Sequence, residues 1–127
     1  MGDPCGIGPE IILKALQLAY KKSLNDFVLI GSFYAISTVK SMLSIDLPLK
    51  KITSFKEFDI NEKQKIQVLD PENIDEEFIK PGSLSKESGK ACMEWVEIAA
   101  HLCLENKIQG IATAPVNKEA ASLAGYV

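Results

Sequence analysis

The sequence predicts an α/β fold with a mostly parallel sheet, and three observations carry that expectation. Short apolar runs such as Phe27–Ile30 and Ile66–Leu69 alternate with longer segments of helical periodicity. Turn residues punctuate them, as at Gly31-Ser32, Asp70-Pro71 and Gly125. The composition, 46% hydrophobic and 24% charged, is that of a protein able to bury a core. Strands separated by helices return parallel, because a parallel crossover needs the length that a helix supplies.

Taken in order, Pro9 to Lys22 is predicted helical, with Ile11, Ile12, Ala15, Leu16 and Ala19 at helical spacing. Phe27–Ile30 is a buried strand, and Phe33 to Ser44 a second helix. Between Ile45 and Lys65 the periodicity weakens, which predicts loops with one or two edge strands. Ile66–Leu69 is a further strand, and Glu72 to Ser83, rich in acids with Pro81 and Gly82, a surface connection. Ser85 to Asn106 is the clearest helix, with Cys92, Trp95, Val96, Ala99, Leu102 and Cys103 as its apolar stripe. Ile108 to Ala112 is predicted as a strand, and Asn117 to Ala124 as a short helix stopped by Gly125.

The chain has 127 residues, one domain's worth, with no internal repeat, low-complexity tract or long linker. A net charge of -3 and a pI near 5.2 argue against nucleic acid or an anionic membrane as partner. All 14 basic residues are lysines, so no guanidinium clamp is available; a bound phosphate must rely on lysine charge and backbone N–H groups. Cys5, Cys92 and Cys103 form no Cys-x-x-Cys pair. On one helix Cys92 and Cys103 would stand about 16 Å apart, too far to bridge. They read as small apolar fillers in a reducing cytoplasm. No apolar run approaches the roughly 18 residues of a membrane span, and no signal peptide is visible. The opening Met1-Gly2-Asp3-Pro4 is already loop-like, so something upstream that holds it is expected.

Three motifs could carry chemistry. In Gly2-Asp3-Pro4-Cys5-Gly6-Ile7-Gly8-Pro9-Glu10, Gly6 and Gly8 permit close backbone approach, and the helix behind them offers free N–H groups to an anion. Glu10 already complements that dipole, Ile11 stands where a dinucleotide fingerprint needs glycine, and no Gly-Lys-Ser/Thr follows. A plain strand-to-helix turn therefore stands beside the anion site as a reading. In Thr113-Ala114-Pro115-Val116-Asn117-Lys118-Glu119, beyond the carboxyl end of a predicted strand, Asn117 suits an N-cap. Lys118 follows in the first turn, where a cation opposes the dipole by about 0.3–1 kcal/mol. That points to an anionic ligand; a solvated surface lysine is the alternative. In Gly82-Ser83-Leu84-Ser85-Lys86-Glu87-Ser88-Gly89-Lys90, the serines could cap the long helix, and Gly89 predicts close packing against another backbone. His101, the single histidine, falls on the polar face near Glu97 and Glu105 and makes no metal site by itself.

Together, in this order and spacing, the three motifs resemble the 4-hydroxythreonine-4-phosphate dehydrogenase (PdxA) family. The resemblance spans the whole chain but less than half of a family member. It therefore implies the N-terminal part, residues 1–127, of an isocitrate/isopropylmalate dehydrogenase-like fold, incomplete without its C-terminal part. It implies a cytoplasmic homodimer that oxidises 4-phosphohydroxy-L-threonine in pyridoxal 5'-phosphate synthesis, using NAD(P) and a divalent metal (Zn, Mg or Co). The alternatives are a D-threonate or D-erythronate 4-phosphate dehydrogenase and a non-catalytic remnant with an anion-binding loop. In the family, a Gly-His-Thr-Glu stretch, three metal-binding histidines and further contacts fall beyond the position of Val127, so no catalytic residue or metal ligand is assigned here. The 127 residues alone are expected to be inactive. Candidate substrate- or cofactor-binding residues are Lys118, Asn117, Thr113, Asp3, Gly6 and Gly8.

Overall fold

A computed structural model describes residues 1–19 and 26–126. Its sheet has three parallel strands: β1 (Val28–Ile30), β2 (Leu49–Ile52) and β3 (Ile66–Leu69), in the order β1-β3-β2. Leu29 pairs with Val68 in β1–β3, and Lys51 with the same residue in β2–β3. The weakly patterned stretch thus contains the edge strand β2, followed by a single 3-10 turn at Phe55–Glu57.

Helices α1 (Gly8–Ala19) and α2 (Phe33–Met42) cover one face of the sheet, and α3 (Lys86–Leu104) the other. Alternation along β3 divides the cores. Ile66 and Val68 join Leu13, Ile36 and Leu47, while Leu69 joins Ile30, Ile52 and Trp95. All four residues of β3 are buried, as a central parallel strand requires. Its one polar member, Gln67, is satisfied reciprocally by Asp59: the Asp59 N–H donates to Oε1 at 2.9 Å and Nε2 donates to the Asp59 carbonyl at 2.8 Å.

Five of the described helix ends have a visible chemical cause. Ser32 caps α2 and Ser85 caps α3 through side-chain oxygens accepting from Ala35 and Ser88. Asn106 closes α3 in the left-handed region at φ 57°, with the Lys107 N–H reaching back to the Leu102 carbonyl at 2.9 Å. Asn117 caps α4 (Lys118–Leu123), accepting from the N–H groups of Glu119 and Ala120. After α4, the Gly125 and Tyr126 N–H groups bond to the Ser122 and Ala121 carbonyls.

Two expectations need correction. Residues 108–112 are not a strand: they form no ladder among the described residues, and Ile111 is 45% exposed. Apolar runs favour extension, but a strand exists only where a neighbour accepts its hydrogen bonds. The helix expected over 9–22 begins at Gly8, and positions 20–22 lie outside the described residues. Beyond its first turn its buried residue is Leu13, absent from the expected stripe, whereas Ile11 is 43% exposed and Ala15 is also exposed. Residues 11 to 19 are apolar on nearly every side, so periodicity does not choose between adjacent faces.

The α3 stripe holds in its centre. Ala91, Cys92, Trp95, Ala99 and Leu102 are buried, Val96 and Cys103 partly so, and His101 lies exposed on the opposite side. The cysteines are free. Burial pushes the Cys92 thiol up to about 11, which makes it a filler rather than a nucleophile.

Candidate functional site

The three sequence motifs are far apart in the chain, and the fold gathers them at one end of the sheet. Met1 lies beside the carboxyl end of β1, its nitrogen donating to the Ile30 carbonyl at 2.7 Å. The loop of residues 2–7 then runs past that end into α1. The Asp3 N–H donates to the Pro115 carbonyl at 3.0 Å, joining the first motif to the second. The Gly82 N–H donates to the Cys5 carbonyl at 2.7 Å, and the Cys5 Sγ–H to the Phe78 carbonyl at 3.3 Å, joining the first to the third.

Several candidate residues prove to be spent on local structure. Asp3 is buried, and its Oδ1 accepts the Cys5 N–H at 2.9 Å, fixing the loop's first turn. Gly8 is packed where a Cβ would lie 2.7 Å from the Met1 carbonyl oxygen. The Asn117 Oδ1 is engaged by α4 at 3.0 and 3.1 Å. Ser85 caps α3 by accepting the Ser88 N–H at 3.0 Å. Ser88 is not a cap; its hydroxyl donates to the Ser85 carbonyl at 3.0 Å, so both serve the helix start and the structural reading of the third motif holds. Gly89 packs directly against the backbone of Ala120, the close approach its position in a helix predicts.

Of the candidate residues, Gly6, Thr113 and Lys118 remain open to solvent. Lys118 pairs with no carboxylate among the described residues. Lys14, Lys51, Lys90 and Lys107 each meet a glutamate within 4.0 Å, while Lys80, Lys86 and other described lysines are unpaired like Lys118, so its position in the second motif is what sets it apart. A cation left without a counter-charge beside a glycine-rich loop can accept an anionic group.

Sequence reasoning missed how tightly Gly2 packs within the first loop. A Cβ there would lie 2.6 Å from the Pro115 carbonyl oxygen and 2.7 Å from that of Ala114. It also missed the Cys5 tie to the 78–82 turn, for which a lone cysteine gives no signal. An open depression of about 310 Å³ borders the third motif, lined by Glu72, Asn73, Ile74, Asp75, Phe78, Glu87 and Lys90. It contains none of the candidate residues. Its Asn73 is committed, accepting from the Trp95 indole at 2.8 Å and donating to Glu94 at 2.6 Å, so the convergent loops remain the better site.

The sequence profile of a family described as pyridoxal phosphate biosynthetic protein PdxA matches residues 23–127. The chain belongs to the PdxA family. Among solved PdxA-like structures, a 4-hydroxythreonine-4-phosphate dehydrogenase from Klebsiella pneumoniae superposes with a TM-score of 0.86 at 33% identity, covering 100% of this chain and 38% of that one. One from Burkholderia phymatum gives 0.86 at 27% identity, covering 99% and 38%. A protein of Oceanobacillus iheyensis, provisionally named D-threonate 4-phosphate dehydrogenase, is 35% identical over 100% of this chain and 38% of its own length. A Sulfurihydrogenibium protein named 4-hydroxythreonine-4-phosphate dehydrogenase is also 35% identical, over 99% of this chain and 37% of its own. The chain therefore spans well under half the length of these PdxA relatives. The expected α/β class with a parallel sheet, of the isocitrate dehydrogenase-like kind, is the one these structures share.

Proposed function

We propose that this chain forms the N-terminal part of a dehydrogenase acting on a four-carbon hydroxy acid with a terminal phosphate, 4-phosphohydroxy-L-threonine by the resemblance. The observation that carries the reading is the convergence of three family motifs at the carboxyl end of a parallel sheet, where α/β proteins bind ligands. The relatives' names support the substrate class and divide between two members of it. D-threonate 4-phosphate is the second reading, favoured by the name of the Oceanobacillus relative. The complete protein would be a cytoplasmic homodimer serving pyridoxal phosphate synthesis. No described helix is long and apolar enough to cross a membrane.

In the proposed reaction the carbinol carbon gives a hydride to NAD(P)+ and its hydroxyl loses a proton. The resulting keto acid then decarboxylates. This segment's share is binding: Lys118 faces an anionic group, and the bare backbone at Gly6 lets a ligand come close. Among the described residues no three His, Cys, Asp or Glu side chains are placed to hold a metal ion, so no step through a metal is assigned to this segment.

The deciding assay follows NAD(P)H formation from each phosphorylated acid, with added magnesium, zinc or cobalt. A protein of the relatives' length carrying this segment should turn over one of the two, and the 127 residues alone neither. Failure of the long form on both acids would end the reading.

Lys118 gives a sharper test. In that long form, Lys118→Met keeps the stem and removes the charge. It should raise KM for the phosphorylated acid or the cofactor by about tenfold, the worth of roughly 1.4 kcal/mol. Thermal stability should change little, since a cation in the first turn of α4 gains nothing from the helix dipole. Unchanged kcat/KM for both would make Lys118 an ordinary surface lysine.

A further inference from the structure

α3 and α4 touch at a point where no side chain intervenes. A Cβ built on Gly89 would lie 2.0 Å from the Ala120 carbonyl oxygen, 2.2 Å from its carbonyl carbon and 2.8 Å from the Ala121 nitrogen. All three neighbours are backbone atoms, so no rotamer change can make room. Gly89, Ala120 and Ala121 are buried. Glycine is a poor choice for the first turns of a long helix, and this contact explains its presence. α4 has only six residues, too few to hold its place by helix propensity alone. The same block is anchored at its other end, where Asp3 bonds to Pro115. Between the two anchors stand Asn117 and Lys118.

We infer that Gly89 is a positioning residue for the Thr113–Lys118 block: its bare backbone seats α4 on α3, and that seat sets where Lys118 stands relative to the Asp3–Gly8 loop. The role rests on reading the block as an anion-facing part of the site, although the seat itself can be tested separately.

The test compares the 127-residue chain with Gly89→Ala and Leu102→Ala by amide exchange and by NMR titration with inorganic phosphate. Leu102 packs α3 against the sheet, away from α4. In Gly89→Ala the amides of Ala124, Gly125 and Tyr126, which bond back into α4, should exchange about tenfold faster relative to those of β3. In Leu102→Ala the sheet amides should accelerate at least as much as those of α4. Phosphate should shift the Lys118 and Gly6 amides in the unsubstituted chain. Its affinity should fall in Gly89→Ala and hold in the folded fraction of Leu102→Ala. Equal acceleration of α4 and sheet in Gly89→Ala, or loss of its cooperative fold, would make Gly89 a general packing residue and overturn the inference. So would unchanged phosphate affinity in Gly89→Ala. If the unsubstituted chain ignores phosphate, the anion reading fails while the exchange comparison still decides the seat.

Discussion

Trp95→Ala is expected to remove about 3–5 kcal/mol of stability, the range for deleting a buried aromatic side chain. Trp95 is 1% exposed and sits between α3 and the sheet, packed with Ile30, Ile52 and Leu69. Its loss empties the centre of one core and leaves the Asn73 oxygen without the indole donor it holds at 2.8 Å. Small domains are stable by roughly 5–15 kcal/mol, so the variant should lose a large fraction of its stability and unfold at a clearly lower urea concentration. Urea unfolding followed by far-UV circular dichroism would measure this, since Trp95 is the only tryptophan and its fluorescence disappears with it. Trp95→Phe retains most of the apolar area and should cost clearly less. A loss below about 1 kcal/mol for the alanine variant would mean that α3 is not held through this side chain.

The sequence exposes those parts of the fold that depend on local pattern. α3 was legible because its apolar residues occupy one face and its opposite face carries Glu97, His101 and Glu105. β3 was legible because a short apolar run ends at Asp-Pro. α1 was legible as a helix but not in orientation. Ile11, Ile12, Leu13, Leu16 and Leu18 surround its axis, and only packing against α2 and the sheet selects Leu13. The strand expected over 108–112 failed for a different reason: strand pairing is a property of two segments, and pattern reports only one.

For the site, the residue types were visible and their employment was not. Glycine at position 89 announces a close neighbour because its cost in a helix needs a return, yet nothing local says that the neighbour is Ala120. Asp3 and Asn117 read equally well as ligand contacts and as turn or cap formers, since both uses need a short side chain with a carbonyl or carboxylate oxygen. The structure spends both on backbone N–H groups. Lys118 stands out by its place in the second motif, since Lys80, Lys86 and other described lysines share its lack of an ion pair.

Gly2→Ala should be the most damaging single-methyl change in the glycine loop, and Gly82→Ala provides its control. Both glycines occupy the left-handed region, at φ 81° and 76°. A Cβ on Gly82 would meet nothing within 4 Å, so its substitution isolates the conformational cost, about 1–2 kcal/mol. At Gly2 the same cost applies, and the methyl also lands 2.6 and 2.7 Å from two carbonyl oxygens. Residues 114 and 115 must move, and the Asp3 N–H, in a buried residue, then loses the Pro115 carbonyl. An unsatisfied buried donor adds about 1–3 kcal/mol. Urea unfolding of the two variants should therefore differ by at least about 1 kcal/mol, with Gly2→Ala the less stable. The amide signals of residues 113 to 119 should shift in Gly2→Ala and stay in place in Gly82→Ala. If the two variants lose equal stability and residues 113 to 119 keep their shifts, the loop and the Thr113–Lys118 block are not joined through Gly2, and the candidate site is not held as a unit from this side.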